Sequence, residues 1–310
     1  MEMNKLRRIP SVGLGQALRN KLGRDFALGY LLLLPLVIVL FGLLAYPIAT
    51  AISITFQDKV GGLPGRFIGL ENYRELLFQD RNFWRVVQNG FIFTFGSVIG
   101  KLIVGMIMAL VLNRRIVLRG FFRGLLLLPW VAPTVVTSLA WRWIFELTGV
   151  LNHILKGIGL IQMPIPWLAR YGTAVLSVVT VNVWRGFPFF GVTLLAGMQT
   201  IPPELYEAAE VDGASVWQRF WSITLPSVRT VILVVCILST IWTFNDFTIV
   251  WLMTRGGPGN ATDVFATYTY KLGFITSRMG YGETVSMILT PVLIIVILIL
   301  SPLMLRGEDE

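Results

Sequence analysis

The sequence predicts an all-α membrane protein of six spanning helices with a polar, helix-prone loop on its cytoplasmic side. Three observations predict it. Apolar residues make up 55% of the 310 positions and charged residues only 14%, with a mean hydropathy of +0.71, whereas a soluble domain usually carries about 25% charged residues. Six apolar runs are each long enough to cross a hydrocarbon core, which takes about 20 mostly apolar residues. Between the fourth and fifth runs lies EAAEVDGASVWQRFWSITLP (207–226), too polar to span and rich in helix formers.

The runs fall at 26–50, 90–112, 124–145, 173–195, 228–253 and 285–305. Inside a bilayer each backbone amide must be satisfied within the protein, which favours helices. Pro35, Pro129, Pro133 and Pro188 lie within these runs and are expected to kink or break them. Ala49-Thr50-Ala51 mimics a leader cleavage site. The apolar run before it, about 24 residues, exceeds the ~7–15 of a leader, so it reads as an uncleaved span.

Basic residues orient the chain. Lys5, Arg7, Arg8, Arg19, Lys21 and Arg24 precede the first span, and Arg114, Arg115, Arg119 and Arg123 crowd the turn between the second and third. The positive-inside rule makes both segments cytoplasmic, against a weaker bias from Arg66, Arg74, Arg81 and Arg85. An even span count then puts both termini, and the 207–226 stretch, in the cytoplasm. The loops at 51–88, 147–172 and 254–283 face outward. The chain divides into a basic N-terminal segment (1–25), a six-span domain (26–306) and a short tail (307–310).

This pattern also excludes function classes. The net charge of +9 is explained by topology signals, so nucleic acid is not an expected partner; lipid is. One cysteine, Cys236, and one histidine, His153, leave no internal disulfide and no Cys-rich metal site, and are less than metal sites and Ser-His or Cys-His catalysis usually use. Neither a metal site nor an enzyme is expected. The nearest match to a phosphate-cradling loop, GSVIGKL at 96–102, is one residue short, lacks the Ser or Thr after lysine, and lies in a span.

The polar loop reads as two short helices at an angle. Pro203 and Glu204 suit a helix start, and Asp212-Gly213 suits its end through a left-handed turn. Ser215 and Gln218 form a capping box for the second helix, which offers Trp217, Phe220, Trp221 and Ile223 before Leu225-Pro226 ends it. Glu204, Glu207, Glu210 and Asp212 stand against one base, Arg219. Anionic lipid would repel this surface, so a protein partner fits better.

Glu207-Ala208-Ala209, then Gly213, Ile223 and Leu225-Pro226 at fixed spacing, resemble the EAA loop of the permease subunits of ABC importers. In that family the loop is the coupling helix that docks on the cytoplasmic ATPase. IGLENYRELL (68–77), LPWVAP (128–133), WRGFPF (184–189) and LMTRGGPGNAT (252–262) extend the likeness to the maltose and glycerol-phosphate branch, first of its two permease subunits. The resemblance implies the type I importer permease fold and ATP-driven carbohydrate import across the inner membrane. It implies a homologous second permease, an ATPase dimer that binds ATP and Mg, and a periplasmic or extracellular solute-binding protein. This chain itself would bind no cofactor. Glu207, Ala208, Ala209, Asp212, Gly213, Ile223, Leu225 and Pro226 would couple it to the ATPase.

The resemblance also places a sugar site in the third, fourth and fifth spans. Matching motifs carry it onto Trp130 and Thr134, onto Asn182, Arg185, Gly186 and Phe189, and onto Trp242, Thr243 and Asp246. Arg185 stands where the maltose protein has an aliphatic residue, and Asp246 where it has an asparagine, so a maltose-like ligand is in question. From the residues alone, Trp184, Phe187 and Phe189 surround Arg185, and Trp242, Phe244 and Phe247 surround Asp246; aromatic faces with hydrogen-bonding groups suit sugars. Arg185 either reads an anionic group of the substrate or pairs with Asp246. Lys101, mid-span, either pairs with the second permease or snorkels. The alternatives are an importer for a non-sugar solute and an ion-driven carrier.

Overall fold

The computed structural model describes residues 26–114 and 117–300. The basic residues Lys5 to Arg24, Arg115, residues 301–305 of the sixth predicted span and the 307–310 tail lie outside them. Among the described residues, four helices are long and apolar enough to cross a membrane, or up to six if each bent helix pair is one span. The four are Gly29–Thr55, Arg81–Asn113, Tyr171–Met198 and Met279–Val296. They correspond to the first, second, fourth and sixth predicted spans.

By contact the chain divides after Ser53. The first span contains Pro35 and a π-helical turn at Phe41–Ala45, and carries exposed Leu32, Phe41 and Leu43. Exposed apolar side chains on a long helix are what lipid contact requires.

The remaining spans depart from six straight rods in instructive ways. The third is broken into Arg119–Val131 and Thr134–Ile144, bent by 92°. Ala132 is extended ahead of Pro133, the conformation a residue before proline prefers. Pro129 and Pro188, also expected to kink or break, lie inside continuous helices, as Pro35 does. The fifth predicted span, 228–253, is not continuous. Arg229–Phe244 stops at Asn245, and Thr248–Thr254 starts afresh. The sixth helix begins at Met279, six residues ahead of the prediction. The described residues are mostly helical; Gln57–Asp58 pairs antiparallel with Arg66–Phe67, and Val60 bridges Arg278.

The second and fourth spans form the centre. Glycines let them approach closely. A Cβ on Gly105 would meet Phe190 and the Gly191 backbone, and one on Gly191 would meet Met108. Around this seam Met106, Ala109, Leu112, Leu194, Leu195, Val228 and Val235 are buried together. A second core gathers Phe83, Val86, Phe244, Phe265, Tyr281 and Val285. Asp80 ties that end. Its carboxylate caps the second span at Asn82 N and Phe83 N (2.9 and 3.2 Å) and accepts from the Tyr268 and Tyr281 hydroxyls. Burial and the Asp80 carboxylate push the Tyr268 hydroxyl above its ordinary range, so it stays a donor.

Candidate functional site

Four spans line a polar cavity of about 70 Å³. Lys101 comes from the second, Trp130 from the third, Asn182, Arg185, Gly186, Phe189 and Phe190 from the fourth, and Ser239, Trp242, Thr243 and Asp246 from the fifth. Eight of the nine residues predicted for a substrate site line it. Thr134 does not. It lies beyond the 92° bend, where its carbonyl accepts from Ser138 Oγ at 2.7 Å.

The helix break at 245–247 positions Asp246. Its Oδ1 accepts from Ile249 N (3.2 Å), starting the next helix, and its Oδ2 accepts from Asn182 Nδ2 (2.9 Å). Asp246 and Arg185 form no ion pair within 4.0 Å, so the direct pairing considered for them is not made. Their charges act across the cavity instead. Arg185 Nε and Asn182 Oδ1 are buried with no hydrogen-bond partner among the described residues.

Lys101 finds its partners within this chain. It is 6% exposed and donates to Thr243 Oγ1 (2.8 Å) and Ser239 Oγ (3.3 Å). Gly186 makes this possible, because a Cβ there would collide with the Lys101 methylenes. The partners lie 138 and 142 residues away in sequence, which local reading cannot bridge. A lysine in mid-span was the available signal. Phe190 and Ser239 were missed for want of any signal, being an ordinary apolar and an ordinary hydroxyl residue.

Only some of the flanking aromatics reach the cavity. Phe189 lies 5.9 Å from Trp130 and 5.1 Å from Trp242, centroid to centroid, making an aromatic wall. Phe187 and Phe244 are buried in the two cores. Trp184 packs on Trp141, and Phe247 stacks on Trp251. Helical periodicity turns these neighbours in sequence to different faces.

The 201–226 loop forms the expected two helices, Pro203–Val211 and one that begins at Val216. Gly213 has φ +79°. Its N–H donates to Glu210 O (3.1 Å) and that of Ala214 to Ala209 O (2.9 Å), a Schellman arrangement. The Ser215–Gln218 capping box is present in both directions. Across the elbow the Tyr206 hydroxyl meets Thr224 Oγ1 at 2.9 Å, and Arg219 pairs with Glu210 at 3.3 Å. The second helix does not end at Leu225-Pro226. It continues to Ser227, and the 65° bend comes at Val228.

Ile223 and Leu225 are partly buried against the central core with Tyr206 and Phe220. Glu207, Ala208, Asp212, Gly213 and Pro226 are exposed, and Ala209 is half-buried. Val211, Trp217 and Trp221 are exposed as well, Val211 at 88%. Apolar groups thus lie open beside the acidic residues.

A family model described as "Binding-protein-dependent transport system inner membrane component" matches residues 101–306, which include both the cavity and the elbow. The chain belongs to this family. The permease is 38% identical over 277 residues to the trehalose/maltose transport system permease protein MalF of Thermococcus litoralis, covering 88% of this chain and 91% of that protein. It is 35% identical over 268 residues to the sulfoquinovosyl glycerol transport system permease protein SmoG of Agrobacterium fabrum, covering 86% of each. Among solved structures it matches a bacterial ABC transporter involved in import of the acidic polysaccharide alginate, with a TM-score of 0.75 and 25% identity over 94% of this chain and 98% of that one.

Several motifs that carried the resemblance are structural in the permease. Asn72 of the 68–77 stretch donates to Thr55 O and Gln57 O (2.8 and 3.0 Å), and Tyr73 donates to Thr55 Oγ1 (2.9 Å). In the GGPGNAT stretch Gly256 has φ +81°, and a Cβ there would collide with the Asp263 carboxylate. Asp263 is fully buried and bonded to Lys271 at 2.6 Å. Burial pushes its carboxyl up, opposed by Lys271 and Thr267.

Proposed function

We propose that this permease forms one half of the membrane path of an ATP-driven importer for a carbohydrate or sugar derivative. The observation that carries this reading is the cavity. An aromatic wall of Phe189, Trp130 and Trp242 faces Lys101, Asn182, Arg185, Thr243 and Asp246 in the middle of the spans. Sugar rings pack their C–H faces on aromatic groups while their hydroxyls take hydrogen bonds. Its relatives and structural neighbour, named for trehalose, maltose, sulfoquinovosyl glycerol and alginate, agree with that chemistry.

In this reading residues 26–306 are the permease domain, and both termini and the 201–226 elbow are cytoplasmic. The partners are a homologous second permease, an ATPase dimer holding ATP and Mg, and an external solute-binding protein. The elbow docks on the ATPase through its open face around Glu207, Ala208, Ala209 and Asp212. Ile223, Leu225 and Pro226 join it to the fifth span. ATP closes the partner dimer, the dimer moves the elbow, and the spans alternate between inward-open and outward-open states. The elbow transmits force because its helices are tied by Gly213's turn, by Tyr206–Thr224 and by Glu210–Arg219.

Gentle purification of the tagged chain from its native membrane, with mass spectrometry of what accompanies it, tests this assembly. Recovery of an ATPase and a second permease is the expected result. Recovery of the chain alone, under conditions that keep comparable complexes intact, contradicts it.

A further inference from the structure

We propose that the sugar carried by this permease bears an acid group, and that Arg185 reads it from the wall of the mid-span cavity. The inference deepens the sugar-import reading above and rests on it. The cavity is lined by two cationic side chains, Lys101 and Arg185, and one carboxylate, Asp246. That carboxylate faces them only across the cavity, and Ile249 N and Asn182 Nδ2 each donate to one of its oxygens. It makes no ion pair with Arg185 or Lys101 within 4.0 Å. Lys101 donates only to the neutral hydroxyls of Ser239 and Thr243.

A buried donor on a cation asks for an acceptor, best an anionic one. Arg185 is partly buried, and its Nε–H is buried without an acceptor. One helical turn away, on the same face, Asn182 Oδ1 is buried without a donor. The two orphans are complementary to a ligand offering an anionic oxygen beside a hydroxyl. A guanidinium presents a planar fork that fits carboxylate, sulfonate or phosphate oxygens. A sugar acid offers that oxyanion, a neighbouring hydroxyl for Asn182, and a ring face for Phe189 and Trp242. A neutral sugar would satisfy Asn182 and leave the surplus positive charge uncompensated.

The test is direct binding to the complete importer in nanodiscs without its solute-binding protein, so that the permease's own preference is read. The probes are glucose as a neutral sugar, and a uronic acid, a sulfonated sugar and a sugar phosphate as acids. The wild type is expected to bind at least one acid about tenfold more tightly than glucose, the scale of a hydrogen bond to a charged group. Which acid wins identifies the oxyanion. Arg185→Gln is expected to bring the ratio of acid to glucose affinity close to one, and Asp246→Asn to raise it. Because each ratio compares probes on one protein, general loss of folded material cancels. Equal wild-type affinity for glucose and every acid overturns the proposal, and so does an Arg185→Gln variant that weakens all probes by one factor. Binding of glucose alone sinks the acid proposal and leaves sugar import standing. Binding of no sugar, with no sugar uptake by the full system, removes both.

Discussion

The mid-span cavity and the helical elbow between the fourth and fifth spans differ in what holds them together. The cavity's bonds join residues far apart in sequence: Lys101 to Ser239 and Thr243, Asn182 to Asp246. The elbow's bonds are mostly local: Gly213 to Glu210, Ala214 to Ala209, Ser215 with Gln218. The longer ties, such as Tyr206 to Thr224, stay within the loop. The cavity therefore exists only when the spans pack, whereas the elbow keeps its shape as a unit and can move as one. The proposed function, a site that opens and closes and a lever that must not bend, calls for these opposite constructions.

That contrast can be broken by substitution, and the largest effect is expected at Gly213. Gly213→Pro cannot adopt φ +79° and removes the N–H that bonds Glu210, a disruption of about 3 kcal/mol. ATP-driven uptake in proteoliposomes is expected to collapse while sugar binding at the cavity stays within about twofold, since a few kcal/mol of local distortion 10 Å or more from a site usually leaves it alone. Uptake at the wild-type rate would show that the elbow is no lever.

Lys101→Met sharpens the other side. It removes the donor to two buried hydroxyls, and a buried group left unsatisfied costs about 1–3 kcal/mol. Sugar binding and uptake are expected to fall together by about tenfold, in contrast to the split at Gly213. Unchanged sugar affinity would remove Lys101 from the site.

Tyr206→Phe is the smallest of the three. It deletes one hydroxyl contact to Thr224, worth about 1 kcal/mol. Uptake per ATP hydrolysed is expected to fall severalfold with binding intact, and restoring a polar tie across the elbow would recover it. No change in the ratio of uptake to hydrolysis would mean that the core contacts of Phe220 and Ile223 alone keep the elbow stiff.

The same contrast decides what was legible in the sequence. The elbow was readable in detail because Pro203, Gly213 and the Ser215–Gln218 pair act over a few residues. Its second helix runs one residue past the Leu225-Pro226 end expected for it, to Ser227. The spans were readable as apolar runs, but their breaks were not. The third span bends sharply at Pro133, while Pro129 and Pro188 lie inside continuous helices. The fifth breaks at Asn245–Phe247 with no proline at all, where Asp246 caps the next helix. The residues alone pointed to Arg185 and Asp246 among their flanking aromatics, and the resemblance brought eight lining residues from separate motifs into one site. Thr134 failed because the bend carries it away. Lys101 was visible as a charge in a span, but its partners depend on Gly186 leaving room, a condition set by the packed spans.

The most direct test of the whole account is sugar uptake by this permease reconstituted with its partner subunits and binding protein in proteoliposomes, driven in turn by ATP and by an imposed ion gradient. The account predicts uptake that requires ATP and the binding protein and is abolished by Gly213→Pro. Uptake driven by the ion gradient without ATP would contradict it.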